Sequence, residues 1–548
     1  MIDVATADRL IENTERRSKG AFYTPIIWAD YAHKLITEQF GNSWKEDFIV
    51  WDCCCGTKNL TRDYIFKELY CSTLEQAELD ISNNYNKEAT SFQFDFLNDS
   101  LDDLKVKAPG LLNAFENNKP IMFFINPPYV KPNGANGNTS QSSNVHKEMY
   151  NIDGFKQSEL IYQFLWRILN IKRTFNLTNC CISCFTKPTW LCCESTKKFR
   201  QLFFQHFKFT NGIMFNAGEF DNVSAQWGIT FNMWRPGECN NKNEFEHTVV
   251  QSNKNSDIEI IGVYTLYNAD NIDHIQTSAY ISKDVKKTED ITNGIIFKPI
   301  NKSYTITKAK VPKDRLDITM YIHGDMIQTN RNCYITAGIP TAGGIILTKD
   351  NVINACMVLA IRLTTHHNWL NDKDSYIIDP HKKYPIEFIA DCFTYALFSN
   401  YAISMHFDVG SLHNDLFWMA KDDIEQLAKQ YNNIQCLDDI KFTNNRFAYN
   451  KLIEWSDILS HESKDIVSTA KSLVINSFQY RTIFNNTNPE YQINNWDAGW
   501  YQLKPLLKTY IPNDLKAFRT LHKQLGDKIR QQVYGLGILH DTFKPISK

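Results

Sequence analysis

Residues 1–240 predict an α/β domain on an open, mainly parallel sheet, and residues 241–548 a mixed α+β region with a helical C-terminal part. Three stretches carry the first expectation. The apolar run Ile121-Met122-Phe123-Phe124-Ile125 is too short for an ordinary helix and rich in β-formers, and the two prolines of Asn126-Pro127-Pro128-Tyr129 stop it. Phe48-Ile49-Val50-Trp51 leads straight into Asp52-Cys53-Cys54-Cys55-Gly56-Thr57-Lys58-Asn59-Leu60, a strand that turns sharply, with Gly56 supplying the permissive backbone. A further hydrophobic run, Leu69 to Leu74, ends on Glu75, about twenty residues past that turn.

The tetrapeptide points to recognition of an amine. A residue before proline is pushed out of the helical region, so Asn126 is held extended with its amide aimed past the strand's carboxyl end, where open α/β sheets bind ligands. Asn126 offers a side-chain carbonyl, Pro127 a main-chain carbonyl and Tyr129 an aromatic face. Two acceptors and a π-face suit a planar aromatic amine. Another strand, Ser91 to Phe94, delivers Asp95 and Phe96. Ser158 to Ile171 reads as an amphipathic helix and Cys180 to Phe185 as a buried strand with Thr186-Lys187-Pro188-Thr189-Trp190-Leu191 at its tip. Phe220 to Trp234 looks like a hairpin closing the same sheet, and Lys131 to Val145, rich in Gly, Asn and Ser, like a mobile lid.

These motifs, in this order, resemble the amino-methylating S-adenosylmethionine-dependent DNA methyltransferases, specifically the N6-adenine group whose recognition region follows the catalytic tetrapeptide. The resemblance covers roughly the first 235 residues and implies a Rossmann-like catalytic domain. It implies that Asn126, Pro127, Pro128 and Tyr129 form the catalytic motif, with Tyr129 stacking on a flipped adenine, so that phenylalanine there would be tolerated. Asp52, Cys54 and Gly56 would form the cofactor loop, Glu75 would accept the ribose hydroxyls, Asp95 would accept from the cofactor's exocyclic amine, and Phe96 would pack on its ring. Gly20-Ala21-Phe22-Tyr23-Thr24-Pro25 resembles the motif that closes over the methionine moiety, which adds Tyr23, Thr24 and Pro25 to the cofactor site. Thr186 to Leu191 would line the target-base pocket, where Phe220 or Trp227 could supply a second aromatic. Lys58 departs from the pattern, since a second glycine is usual there. It implies either a strained loop or a lysine turned toward DNA phosphate.

At 548 residues and 43% hydrophobic, the chain can hold two or three cores. A net charge of −2 excludes a uniformly basic DNA-binding body, so double-stranded DNA must be met by local patches. Two candidates are Arg16-Arg17-Ser18-Lys19 and the group Lys504, Lys508, Lys516, Arg519, Lys523, Lys528, Arg530 and Lys544 among Trp500, Tyr501 and Tyr510. The 14 cysteines lack the spacing of a disulfide scaffold. Cys181 and Cys184 form one Cys-x-x-Cys without a second pair, so buried thiols are expected and no metal. The absence of a membrane-length apolar run or signal peptide leads to the expectation of a soluble, cytoplasmic protein.

From about Asn240 the composition turns polar, with β-like runs at Ile258 to Tyr264 and Tyr334 to Ile346 and helical patterns at Val352 to Asn368, Ile386 to Phe398 and Phe447 to Phe478. By position this is a target-recognition region. No Pro-Asp…Glu-x-Lys arrangement precedes Gly20, so a methyltransferase without its own nuclease is expected, alone or with other subunits of a restriction-modification or defence system. Two alternatives stay open: methylation of RNA or protein glutamine, and a catalytically impaired DNA-binding subunit.

Overall fold

The computed structural model describes residues 23–129, 143–156, 159–220, 223–253, 257–283, 285–287, 289–296, 305–328, 333–337, 344–403, 418–431, 446–489, 500–540 and 542–546. The expectations placed on Arg16–Lys19, Gly20–Phe22, Lys131–Ser142, Ser158, Asp221, Asn222 and the Tyr501 side chain lie outside the described residues. The chain forms two compact units, Met1–Asn271 with Asn368–Asp374 and Asp541–Lys548, and Ile272–His367 with Ser375–His540.

The first unit is a ten-stranded sheet. Its strands are β1 (Ile49–Asp52), β2 (Leu69–Thr73), β3 (Thr90–Gln93), β4 (Ile121–Ile125), β5 (Cys180–Thr186), β6 (Phe207–Asn216), β7 (Gly228–Pro236), β8 (Glu244–Ser252) and β9 (Ile258–Tyr267), closed by Phe543–Pro545. In space they run β3-β2-β1-β4-β5-β7-β6-β8-β9, then the C-terminal strand. The first five are mutually parallel, and β7 enters antiparallel between β5 and β6. Chain order leaves β1 toward β3 on one side and crosses to β4 and β5 on the other. The carboxyl ends of β1 and β4 therefore meet at a topological switch point, the crevice where doubly wound sheets bind ligands.

Both faces of β4 are buried, as its unbroken apolar run requires. Ile121, Phe123 and Ile125 face one core, with α3 (Pro109–Glu116), α5 (Leu160–Thr174) and α6 (Lys197–His206). Met122 and Phe124 face the other, with α1 (Ile26–Phe40). Between them in chain order lie α2 (Gln76–Ile81) and α4 (Asn144–Asp153). Helix α1 docks through Trp28, stacked on Phe215 at 3.8 Å, and through the buried His33, stacked on Tyr64 at 3.4 Å. Burial pushes the His33 imidazole down to about 3, so the ring is a neutral core group. Cys181 and Cys184 belong to opposite cores and cannot close on one ion.

The expected boundary at 240 falls inside this unit. Ile258 to Tyr264, expected within the recognition region, is β9 of the same sheet. The physical reason is edge pairing: β6 would otherwise expose a row of backbone donors and acceptors, and β8 joins it in parallel, Ile213 opposite Thr248. β9 covers β8 in turn, and the C-terminal strand covers β9.

The second unit has its own core. A two-stranded pair, β10 (Glu289–Ile296) with β11 (Thr305–Val311), accompanies a four-stranded sheet of β12 (Arg315–Tyr321), β13 (Tyr334–Ala337), β14 (Ile345–Thr348) and β15 (Ala402–Ile403). Helices α7 (Val352–Thr364), α8 (Ile386–Leu397), α9 (His461–Thr487), α10 (Trp500–Tyr510) and α11 (Pro512–Gly535) supply most of its apolar interior. The predicted run Phe447 to Phe478 is two helices, because Ser460 caps α9 by accepting from the Ser463 amide. Among the described residues, no helix is long and apolar enough to cross a membrane.

Candidate active site at the switch point

Strand β1 ends in a buried carboxyl. Asp52 is fully buried; its Oδ1 accepts from the Cys54 amide at 3.3 Å, and its Oδ2 has no hydrogen-bond partner among the described residues. Burial raises the Asp52 carboxyl to about 8, the single amide offsetting only part of that cost. The folded state thus holds a proton that the unfolded state releases near pH 4, and stability falls as pH rises from about 4 to 8. We expect Asp52→Asn, which stays neutral, to lose less Tm than the parent between pH 5 and pH 8 in matched thermal melts. Equal losses would contradict burial of an unpaired carboxyl.

The turn after Asp52 is left-handed at two places, Gly56 (φ +50°) and Lys58 (φ +63°). A Cβ on Gly56 would lie 2.6 Å from Tyr23 Cε1, so the turn forms a bare backbone cradle roofed by the Tyr23 ring. Lys58 does not point to solvent: it is 2% exposed, and Nζ donates to the Tyr85 carbonyl at 3.2 Å. That geometry supports the strained-loop alternative over the DNA-contact one. Lys58→Gly is expected to raise Tm, because it relieves about 1–2 kcal/mol of left-handed strain. Thermal melts check this, and a lowered Tm would show that the Nζ bond to Tyr85 outweighs the strain.

Strand β4 delivers the tetrapeptide beside this turn. Asn126 Nδ2 donates to Thr24 Oγ1 at 2.9 Å, and the Tyr129 hydroxyl donates to Asn126 Oδ1 at 2.6 Å. Thr24 is also tied to the β1 turn, its carbonyl accepting from Asn59 Nδ2 at 3.1 Å, while Thr57 Oγ1 donates to Asn59 Oδ1 at 3.2 Å. Three segments far apart in sequence thus converge on one crevice. Pro127 is buried, Pro128 half-buried, and Pro25 is the N-cap residue of α1. The Tyr129 ring is 8% exposed and meets Trp227 edge-on at 5.8 Å. The hydroxyl thought dispensable from sequence therefore has a partner, Asn126.

Beside Tyr129 stands Lys187, from the segment Thr186–Leu191 that the family resemblance assigns to the target-base pocket. Lys187 Nζ donates to the Tyr129 carbonyl at 2.8 Å and lies 4.7 Å over the Trp227 ring. The segment Asn368–Asp374 joins this unit. Its Trp369 carbonyl would be 3.2 Å from a Cβ on Gly228, and the charge of Lys187 is felt at the buried Asp372. Burial nevertheless raises the Asp372 carboxyl to about 6, against the lowering effect of Lys373. Of the two aromatics proposed for the pocket, Trp227 is half-buried beside Tyr129. Phe220 is 1% exposed and packs against Phe185 and Phe215.

The acidic positions divide. Glu75 lies at the N-cap of α2 and is exposed. Three residues on, Glu78 turns inward, accepting from the Tyr23 hydroxyl at 2.6 Å and from Thr73 Oγ1 at 2.5 Å. Asp95 accepts from the Leu97 and Asn98 amides at 2.9 and 3.1 Å and from Asn98 Nδ2 at 2.8 Å, which commits it largely to its own turn. Phe96 is 3% exposed, stacked on Phe164 at 5.0 Å and edge-on to Trp51 at 5.3 Å. Its ring belongs to the core and not to a ligand face. Buried Arg167 donates to the Phe96 carbonyl and, at 2.7 Å, to that of Asp99, stiffening this turn. Neither Glu78 nor Lys187 carries a sequence signal of its own beyond its place near a strand tip.

No protein-family profile and no curated protein matches the chain. Among solved structures it is similar to the type IIG restriction endonuclease BpuSI, at 16% identity and a TM-score of 0.31 over 45% of this chain and 29% of that one. It is similar also to the DNA-bound ATP-dependent type ISP restriction-modification enzyme LlaBIII, at 14% identity and a TM-score of 0.30 over 42% of this chain and 20% of that one. A chain of a type I restriction-modification system matches at 11% identity and a TM-score of 0.27 over 46% of this chain and 50% of that one. In each case the chain covers no more than half of the neighbour's length.

Proposed function

We propose that this protein is a DNA adenine N6-methyltransferase using S-adenosylmethionine, working with or within a restriction-modification or related defence system. The observation that carries the reading is the junction of Thr24, Asn126 and Tyr129 at the switch-point crevice, beside the cradle of the β1 turn. The crevice suits the cofactor: Asp52 Oδ2 is a buried polar atom without a hydrogen-bond partner among the described residues, and Gly56 leaves backbone open to close approach. Asp52, the Cys54–Gly56 backbone, Glu78 and Thr24 would hold it, and when bound it supplies an activated methyl on a sulfonium.

The chain's own task is to hold and orient an amine. An aromatic amine is a poor nucleophile because its lone pair is delocalised into the ring. Asn126 Oδ1 and the Pro127 carbonyl accept its two N–H bonds and let the nitrogen turn pyramidal, so catalysis rests on alignment and fixed dipoles. The Tyr129 hydroxyl occupies Asn126 Oδ1 until the amine takes its place. A base within a duplex cannot reach this crevice, so it must flip, with Tyr129 and Trp227 as aromatic walls. Lys187 ties the two walls together, bonded to the Tyr129 carbonyl and lying over the Trp227 ring.

For phosphate contact, the second unit offers a cleft between α10 and α11 lined by Lys504, Arg519, Lys523 and Arg530. Arg519 and Lys523 have no ion-pair partner among the described residues, and burial followed by Arg519 and Lys508 depresses the Lys504 ammonium. Lys528 is excluded from that role because Glu387, Asp391 and Glu462 surround it. Lys504→Glu with Arg519→Glu should weaken duplex binding and shallow its salt dependence by about two counterions, leaving adenosyl-ligand affinity unchanged. An unchanged salt slope would remove this cleft from the interface. The function itself is tested by methyl transfer from labelled S-adenosylmethionine to duplex DNA, RNA and a glutamine peptide. Label on DNA adenine is expected; label on RNA or peptide alone would overturn the reading.

A further inference from the structure

Two acids follow β2, and only the second turns into the molecule. We propose that Glu78, and not Glu75, receives the ribose hydroxyls of the adenosyl cofactor, and that the Tyr23 hydroxyl fills part of that receptor until the ligand displaces it. The assignment rests on the methyltransferase reading above.

Glu78 is 9% exposed, and its Oε1 lies 3.8 Å from where a Cβ on Gly56 would stand, so the carboxylate lines the cradle itself. A carboxylate has about four acceptor positions. Two are used here, by two neutral hydroxyls, Tyr23 at 2.6 Å and Thr73 at 2.5 Å, and no cation pairs with Glu78 among the described residues. A buried carboxyl group with half its acceptor capacity open is costly to keep. A vicinal diol supplies two further O–H donors in one rigid unit.

The last residue of β2, where a sheet of this kind presents its acid, is Thr73. Glu78 reaches back to it from the first turn of α2, so the charge is delivered to the strand tip from the helix. Glu75 is exposed at the cap of that helix. Tyr23 bonds the same carboxylate while its ring roofs Gly56, so one side chain covers both the backbone cradle and the hydroxyl receptor. A ligand that enters must take both places from it.

The test is calorimetric, on the full chain, with S-adenosylhomocysteine and its 2′,3′-dideoxy counterpart as probes. For the parent, removing the two hydroxyls should weaken binding roughly ten- to a hundredfold, the range of hydrogen bonds to a charged acceptor. Glu78→Gln, checked for an unchanged melting profile, should bind S-adenosylhomocysteine weakly and lose little more with the dideoxy probe. Glu75→Gln should keep the parent's full discrimination. Tyr23→Phe retains the roof but frees Oε1, and should bind the hydroxylated probe at least as well as the parent does. Discrimination lost in Glu75→Gln and kept in Glu78→Gln would overturn the assignment, as would weaker binding by Tyr23→Phe. Failure of the parent to bind either probe would instead refute the cofactor reading itself.

Discussion

Replacing Asn126 with alanine is expected to abolish methyl transfer, a loss of at least about 10²–10³-fold, the scale for removing one group that holds the reacting centre. Binding of the adenosyl ligand should stay within a few-fold of the parent. The asymmetry follows from where the side chain is tied. Asn126 bridges Thr24 and the Tyr129 hydroxyl, while the cradle's carboxyl groups are tied to other partners, Asp52 to the Cys54 amide and Glu78 to Tyr23 and Thr73. Tyr129→Phe is expected to lower the rate less than Asn126→Ala but measurably, because it removes the donor that holds Asn126 Oδ1 in place before the amine binds. Ligand affinity falling in step with the rate for Asn126→Ala would show that the residue belongs to the cofactor site and not to the amine site.

Gly56→Ala is expected to cost at least about tenfold in adenosyl-ligand affinity, because the added methyl would stand in the cradle where a ligand must approach bare backbone. In the ligand-free protein the same methyl would sit 2.6 Å from Tyr23 Cε1, at φ +50°. That contact is with the body of an aromatic ring, which can retreat only by breaking its hydroxyl bond to Glu78. Gly56→Ala should therefore also lower Tm, and adding Tyr23→Ala should relieve the collision and return part of it. Calorimetry and thermal melts on the two variants check this; full ligand affinity in Gly56→Ala alone would contradict a cradle built for close backbone approach.

What was legible in the sequence follows a physical division. Strand tips were legible, because Ile121–Ile125 ends on prolines and Ile49–Asp52 ends on a glycine-bearing turn, and both signals are local. The convergence of Thr24, Asn59 and Asn126 was legible only through motif order, since hydrogen bonds across such separations leave no periodic trace. The choice between Glu75 and Glu78 was not legible from spacing, since both lie about twenty residues past the turn. The one local hint is that Glu78, Leu79 and Ser82 share the buried side of α2. The family resemblance placed Phe96 on a ligand face, but Trp51 and Phe164 claim its ring. β8 was not read as a strand at all, and although the β-like run at Ile258 to Tyr264 is β9, a local pattern does not say which sheet a strand joins. The open edge of β6 decides that.

The most direct measurement is base-resolution mapping of modified adenines in DNA from cells expressing the chain, set against cells expressing Asn126→Ala. N6-methyladenine recurring at one short sequence in the first, and absent in the second, is the predicted result. Unmodified DNA from cells that contain the folded, adenosyl-binding parent protein would contradict an adenine methyltransferase.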